Sequence, residues 1–237
     1  MAPANKRILI ASSSFDEHTH GLVHEKLRRR GFSVSLYLTD KVLEGAERFS
    51  LDISAEGTLR MTYKGQDISP NAIAAGWYWK VANFRIPDAE TNVSKQLSLV
   101  NEITQCNGNI WSLYPDNFWL SPPRAIQGAE RKLRQLLVAK EVGFMIPRTH
   151  LGNSWEDVDD LEQEAGQPVA VKMFRGVIAD QNQIRAMYTT QLTSPILSRL
   201  RDSTVPFPGI YQPFLPKARE WRVTVVGDEV FAGAIYT

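Results

Sequence analysis

The sequence predicts an α/β chain in two parts, residues 1–121 and 122–237, and three observations carry that expectation. Short apolar runs near the start alternate with helical periodicity, the pattern of parallel strands joined by helical crossovers. Ser121-Pro122-Pro123 interrupts the chain between two stretches that each hold strands and helices of their own. Towards the end, from Gly209 onward, the pattern turns to strands separated by sharp breaks.

In the first part, Arg7-Ile8-Leu9-Ile10-Ala11 reads as a buried strand that ends in Ser12-Ser13-Ser14. A helix is expected from about His20 to Arg30, with Leu22, Val23 and Leu27 on its apolar face and Gly31 closing it. Phe32 to Leu38 is the next strand, and this β-α-β opening predicts a parallel sheet with a right-handed crossover. The serine turn lacks both the G-x-G-x-x-G and the Walker spacing, so no dinucleotide site is expected there. No acid or cysteine completes a metal set with His18, His20 and His24, which read as solvated helix histidines. Phe49 to Ile53, Thr58 to Tyr63 and Gln66 to Ile68 form a small antiparallel meander. Ala72 to Tyr78 is again a buried strand, ending in Trp77-Tyr78-Trp79-Lys80. Three aromatics in a row cannot all face inward, so either one lines a groove or the cluster is a core rim with Lys80 over a ring. Asp88 is the expected cap of a helix to about Gln105, and Ile110 to Leu113 the expected last strand before Tyr114-Pro115.

The second part opens with a helix over Ala125 to Val142, with Leu133, Leu136, Leu137 and Val138 as its apolar stripe. Arg131, Lys132 and Arg134 give it a basic side, which alone indicates no more than a solvated face. Ser154-Trp155-Glu156-Asp157 resembles a capping box and starts a helix to about Ala165. Val169-Ala170-Val171-Lys172-Met173 is a strand that carries Lys172 into otherwise apolar surroundings. A buried ammonium needs an anion, either a protein carboxylate or a phosphate. Val177 to Ala179 and Ile184 to Tyr188 make a hairpin around Asp180-Gln181-Asn182-Gln183, an edge on which a peptide could dock as an added strand. Thr193 to Arg201 is a short helix, and Pro206-Phe207-Pro208 leads into the apolar strand 209–215. Pro213 cannot donate a ladder hydrogen bond, which assigns it to an edge or a bulge, where its carbonyl can face a ligand. Glu220 and Arg222 share one face of the following strand, which alternates as a half-buried strand does. They either pair with each other or take the hydroxyl and phosphate ends of one ligand. Asp228 and Glu229 read as hairpin-turn residues rather than metal ligands.

Composition limits the function classes. With 43% hydrophobic and 22% charged residues the chain has a globular balance. Lys+Arg 27 against Asp+Glu 26 leaves +1, which excludes a dedicated nucleic-acid surface but not a local phosphate site. The single cysteine, Cys106, excludes an internal disulfide, fits a reducing cytoplasm and reads as a small buried apolar residue. No stretch approaches the ~20 apolar residues of a membrane span, and the start has no signal-peptide core.

Lys132 on a helix, Lys172 in a Val-Ala-Val-Lys strand, the hinge Tyr211-Gln212-Pro213-Phe214-Leu215 and the Glu220-Trp221-Arg222 strand occur here in one order. That ordered set resembles the ATP-grasp superfamily, and AERKLRQLLVAKEVGFMIPRT, beginning at Ala129, looks like the helix and loop that open its ATP-binding half. Within it the chain is most similar to the ribosomal-protein-glutamate-ligase-like group, and there to the peptide macrocyclases of graspetide (microviridin-type) biosynthesis. Trp77-Tyr78-Trp79-Lys80 departs from the WYRR typical of that group's first domain. The resemblance implies an N-terminal pre-ATP-grasp α/β domain followed by an incomplete ATP-grasp α+β domain. It implies that Lys132 and Lys172 bind ATP phosphates. Phe174, with Arg175-Gly176, would start a phosphate-covering loop. Gln212, Pro213, Phe214 and Leu215 would hold adenine through backbone groups, Glu220 would hold the ribose hydroxyls, and Arg222 would be the catalytic residue facing the γ-phosphate. The implied reaction makes an acyl phosphate on a side-chain carboxylate and closes an ester or amide, with ATP and Mg²⁺ as cofactors and a carboxylate-bearing peptide or protein as substrate.

The family's magnesium ligands follow the Glu-x-Arg strand, and no matching acids follow it here, so no metal ligand is assigned. The expectation is a fragment of a ligase, or a natural-length member that binds nucleotide or peptide without catalysis. A glutamate or amino-acid ligase acting on a protein tail or small molecule is the other enzymatic reading. A homodimer is compatible with all of these, and neither nucleic acid nor membrane is an expected partner.

Overall fold

The computed structural model of the protein describes residues 7–81, 92–174, 177–180, 183–186, 189–201 and 209–236. The expected cap Asp88, the loop residues Arg175 and Gly176, Gln181, Asn182 and Tyr188 of the hairpin, and Pro206-Phe207-Pro208 lie outside the described residues. The chain divides into two compact units, Met1–Arg131 and Lys132–Thr237.

The first unit begins with β1 (Arg7–Ser12), α1 (Glu17–Arg29), β2 (Ser33–Leu38) and the short α2 (Thr39–Leu43). The meander follows as β3 (Phe49–Ile53), β4 (Leu59–Tyr63) and β5 (Gln66–Asp67), joined in the order β3-β4-β5. Lys64 and Gly65 both take positive φ, 51° and 75°, which is the two-residue turn that matches hairpin twist. Then come β6 (Ala75–Tyr78), α3 (Val93–Ser112), β7 (Trp119–Leu120) and α4 (Pro123–Ala129). β2-β1-β6-β7 is a parallel sheet, as the β-α-β opening requires. Its core joins Leu9 and Ala11 of β1 to Tyr37, Met61, Tyr63 and a run of aromatics, Trp111, Tyr114, Phe118 and Trp119.

Three expectations change here. The strand expected at Ile110 to Leu113 is the last turn of α3. Ile110, Trp111 and Tyr114 recur at helical spacing and are all buried, at 5%, 3% and 3% exposure. A four-residue apolar run does not separate the two periods, and the buried face does. His20 is buried rather than solvated, and neither of its ring nitrogens has a partner, while His18 is exposed. Cys106 is exposed on α3 rather than buried. In the aromatic run Tyr78 packs on the core, and Trp77 stacks on Trp79 with centroids 5.2 Å apart on the other face. Lys80 lies 5.4 Å over the Trp79 ring, the core-rim arrangement.

The second unit contains α5 (Lys132–Glu141), β8 (His150–Gly152), α6 (Trp155–Ala165), β9 (Val169–Lys172), the hairpin β10 (Val177–Asp180) and β11 (Gln183–Ala186), β12 (Thr190–Gln191) and α7 (Ser194–Arg201). It continues through β13 (Gly209–Pro213), β14 (Glu220–Val226) and β15 (Glu229–Ile235). The sheet order is β12-β9-β13-β8, antiparallel throughout, while β14-β15 and β10-β11 are separate hairpins. Ser154 caps α6 by accepting from the Asp157 amide at 3.4 Å, as the capping-box sequence requires.

The helix expected over Ala125 to Val142 is two helices, broken at Glu130-Arg131. No proline marks the break, and Gly128 only weakens the turn before it. The expected stripe of α5 is not a buried one, since Leu137 is 70% and Val138 45% exposed. β14 is not half-buried either: Trp221, Val223 and Val225 on one face and Arg222 and Thr224 on the other are all exposed.

Candidate functional site

The second unit's sheet has two unlike faces. Residues opposite one another on antiparallel strands share a face. Val169 and Val171 pair with Pro213 and Tyr211, and Val169, Val171 and Tyr211 pack with Val158 and Leu161 of α6. Ala170 and Lys172 pair with Gln212 and Ile210, so these four lie on the face away from α6. Leu151 of β8, opposite Ile210, joins them.

At the end of β9 this face meets the start of α5. Lys132 Nζ donates to the carbonyl of Met173 and, at 2.6 Å, to that of Phe174, the two residues that follow Lys172. Burial holds the Lys132 ammonium below the usual lysine pKa, and the positive charge of Lys172 lowers it further. The two lysines, 40 residues apart in sequence, are therefore electrostatic neighbours. Lys172 itself ends β9 in an exposed position, unlike buried Val169 to Val171, so the expected buried ammonium is a rim one. Phe174 is 46% exposed beside it.

The hinge residues continue from the same strand. Gln212 Nε2 donates to Thr149 Oγ1 at 2.8 Å, and Thr149 Oγ1 donates to the Pro147 carbonyl at 3.0 Å. Pro213 closes β13 opposite Val169, beyond the last residue paired with β8. β13 is an inner strand, but Pro213 has no partner on the β8 side, so it sits at a local edge as expected, and its missing N–H leaves no gap in the ladder. The Phe214 amide carries the ladder on by donating to the Pro168 carbonyl at 2.7 Å. Leu215 is half exposed.

Glu220 and Arg222 share a face of β14, opposite Ile235 and Gly233. The Lys217 ammonium donates to Glu220, and that hydrogen bond, with the Lys217 charge and the more distant Arg222, holds the carboxyl below its ordinary range. The carboxylate expected at a ribose is thus in contact with a lysine three residues away. Arg219 lies over the rings of Trp221 and Tyr236, at 5.9 and 5.7 Å, and ties the two ends of the β14-β15 hairpin together. Of the nine sequence-derived residues, the structure brings Lys132, Lys172 and Phe174 together. It puts Gln212 on the Lys172 face and sets Pro213, Phe214 and Leu215 at the end of β13. Glu220 and Arg222 are on a separate two-stranded sheet.

Two participants carried no sequence signal. The Met173 carbonyl contributes only backbone, and Thr149 is a lone hydroxyl one residue before β8. Among the described residues no group of three or more His, Cys, Asp or Glu could hold a metal ion. No described helix is long and apolar enough to cross a membrane.

No family model matches the sequence, and no curated protein does. Among solved structures the chain is similar to the macrocyclase MdnC of Microcystis aeruginosa bound with precursor peptide MdnA, at 26% identity and a TM-score of 0.78, over 98% of this chain and 76% of that one. It is similar to a Chryseobacterium gregarium RiPP-associated ATP-grasp ligase in complex with ADP and a leader and core peptide, at 24% identity and 0.77, over 98% and 69%. The macrocyclase MdnB of Microcystis aeruginosa gives 22% identity and 0.76, over 98% and 75%.

Proposed function

We propose that this chain, which has the ATP-grasp fold of the RiPP macrocyclases, is an ATP-dependent ligase that activates side-chain carboxylates of a ribosomal peptide and closes them as esters or amides. The likeness to MdnC at 26% identity supports the peptide substrate class. The observation that carries the nucleotide is the Lys132–Lys172 pair. Two like charges, Lys172 at the end of β9 and Lys132 at the start of α5, disfavour each other, and this repulsion adds to burial in lowering the Lys132 pKa. A polyanion on the face away from α6 would reverse its sign. A triphosphate fits that demand, and the Chryseobacterium gregarium ligase described with ADP favours it.

In this reading Lys132 and Lys172 hold the phosphates, and Phe174 flanks them. The end of β13, Gln212 to Leu215, holds the purine, and Glu220 holds the ribose once released from Lys217. Arg222 faces the transferred phosphoryl group. The substrate carboxylate attacks the γ-phosphorus and ADP leaves. A hydroxyl or amine of the same peptide then attacks the acyl carbon, phosphate leaves and the nucleophile loses its proton. The residues act by positioning and charge neutralisation. Mg²⁺ supplies further charge neutralisation in such chemistry, and no step here is derived through it.

The test is direct. Wild-type chain should bind ATP, and Lys172→Ala should weaken binding about tenfold or more, the scale of one charge-assisted contact. With a candidate peptide rich in Thr, Ser, Asp and Glu, ATP-dependent phosphate release should depend on Lys172 in the same way. ATP affinity unchanged by Lys172→Ala refutes the site.

A further inference from the structure

We infer that Thr149 is the positioning residue that makes the hinge selective for a 6-amino purine, by fixing which end of the Gln212 amide faces the ligand. This rests on the nucleotide reading above and adds to it a residue and a base preference.

A glutamine amide presents a donor at one end and an acceptor at the other, and the two look alike in shape. Here hydrogen-bond chemistry settles the choice. The Pro147 carbonyl can only accept, and it takes the single Thr149 hydroxyl proton at 3.0 Å. Toward Gln212, then, Thr149 can offer only a lone pair, and the Gln212 NH₂ group fills it at 2.8 Å. The amide oxygen is the branch turned away from Thr149. Backbone register puts the Gln212 side chain on the face that carries Lys172, opposite the α6-packed face. The register also explains why Thr149 is the anchor: Tyr211 pairs with His150, so the preceding residue, Thr149, falls beside Gln212.

An acceptor held at the base-binding end of this face discriminates between purines. The 6-amino group of adenine donates to it, whereas the 6-oxo group of guanine meets it lone pair to lone pair. An amide free to rotate by 180° would serve either base, so the selectivity belongs to the Thr149 hydroxyl rather than to Gln212 alone. A mismatch of this kind is worth about tenfold in affinity, or more where the site excludes water.

The experiment is a competition titration of ATP and of GTP against a fluorescent adenine nucleotide on the full chain, with thermal melts to confirm folding. Wild type and Thr149→Ser, which keeps the hydroxyl, should both prefer ATP by about tenfold or more. Thr149→Val, equal in shape without the hydroxyl, should bring the two nucleotides to within about threefold, mainly by improving GTP. Gln212→Met, independent of Thr149, should weaken ATP and, by removing the lone-pair clash, improve GTP, so that the preference falls. If Thr149→Val keeps the wild-type ratio, or does not fold while Gln212→Met keeps it, the positioning role is overturned and the nucleotide site stands. A wild type that binds both equally overturns it too. A wild type that binds neither refutes the functional reading itself.

Discussion

Gly76→Ala tests the packing of the first unit. Gly76 lies in β6 between Leu9 of β1 and Trp119 of β7. A Cβ there would sit 2.2 Å from Phe118 Cε1 and 2.6 Å from Trp119 Cζ3, short of the 3.4 Å at which ordinary contact begins. Neither ring has room to retreat. Phe118 lies edge-on to Trp119 at 4.8 Å, and Trp119 is packed by Tyr114 at 5.2 Å and Trp111 at 5.7 Å. Overpacking of this kind costs about 1–3 kcal/mol. The entropy gained by replacing a strand glycine returns about 0.5–1 kcal/mol. The net expectation is a loss of up to about 2.5 kcal/mol, toward the upper end because both rings are held. Urea unfolding followed by tryptophan fluorescence reads it, because Trp77, Trp79, Trp111 and Trp119 all lie in this unit. Gly128→Ala in α4 is the control: nothing lies within 4 Å of its added Cβ, so it should be neutral or stabilising. A Gly76→Ala chain as stable as wild type would refute the close approach of β6 to these rings.

Two further outcomes follow from the charges of the second unit. Nucleotide binding should raise the lowered Lys132 pKa, so binding takes up a proton and ATP affinity should fall as alkaline pH passes through that group; Lys132→Arg, which does not titrate there, should flatten the profile. Lys217→Ala should raise the Glu220 carboxyl pKa toward its ordinary value, read by carbon NMR titration, because the Lys217 hydrogen bond is the largest cause of its depression.

The elements legible in the sequence were those with a local physical signature. β1, β9 and the meander announce themselves by apolar runs and turn residues, and α6 by its capping box. Those that failed depend on tertiary neighbours. Ile110 and Trp111 read equally as strand or helix until the packing of Tyr114 fixes the period. The break between α4 and α5 has no local stop, yet it puts Lys132 at the first turn of α5, where its ammonium reaches the Met173 and Phe174 carbonyls. For the site, the ordered set that resembles the ATP-grasp superfamily pointed to Lys132, Lys172 and the hinge residues. It could not point to Thr149, which strand register alone sets beside Gln212.

The lysine pair also separates a structural reading of the site from a functional one. A pair kept for stability would lose stability on mutation. A pair kept for a ligand should do the reverse in the ligand-free chain, because the Lys172 charge pushes the Lys132 pKa down. For a lysine whose folded pKa is depressed, the unfolded chain binds more protons between the two pKa values, so stability rises with pH across that window. The penalty is fully present below the folded pKa and is gone above the unfolded one. Lys172→Met should therefore raise ligand-free stability at neutral pH by about 0.2–1 kcal/mol, the range for partly exposed charge pairs. The gain should shrink in alkali, while ATP binding weakens in the same variant. Calorimetry with and without ATP reads both signs in one protein. A variant less stable without ligand would mean that Lys172 holds the fold at the end of β9, and the argument from like charges to a bound polyanion would fail.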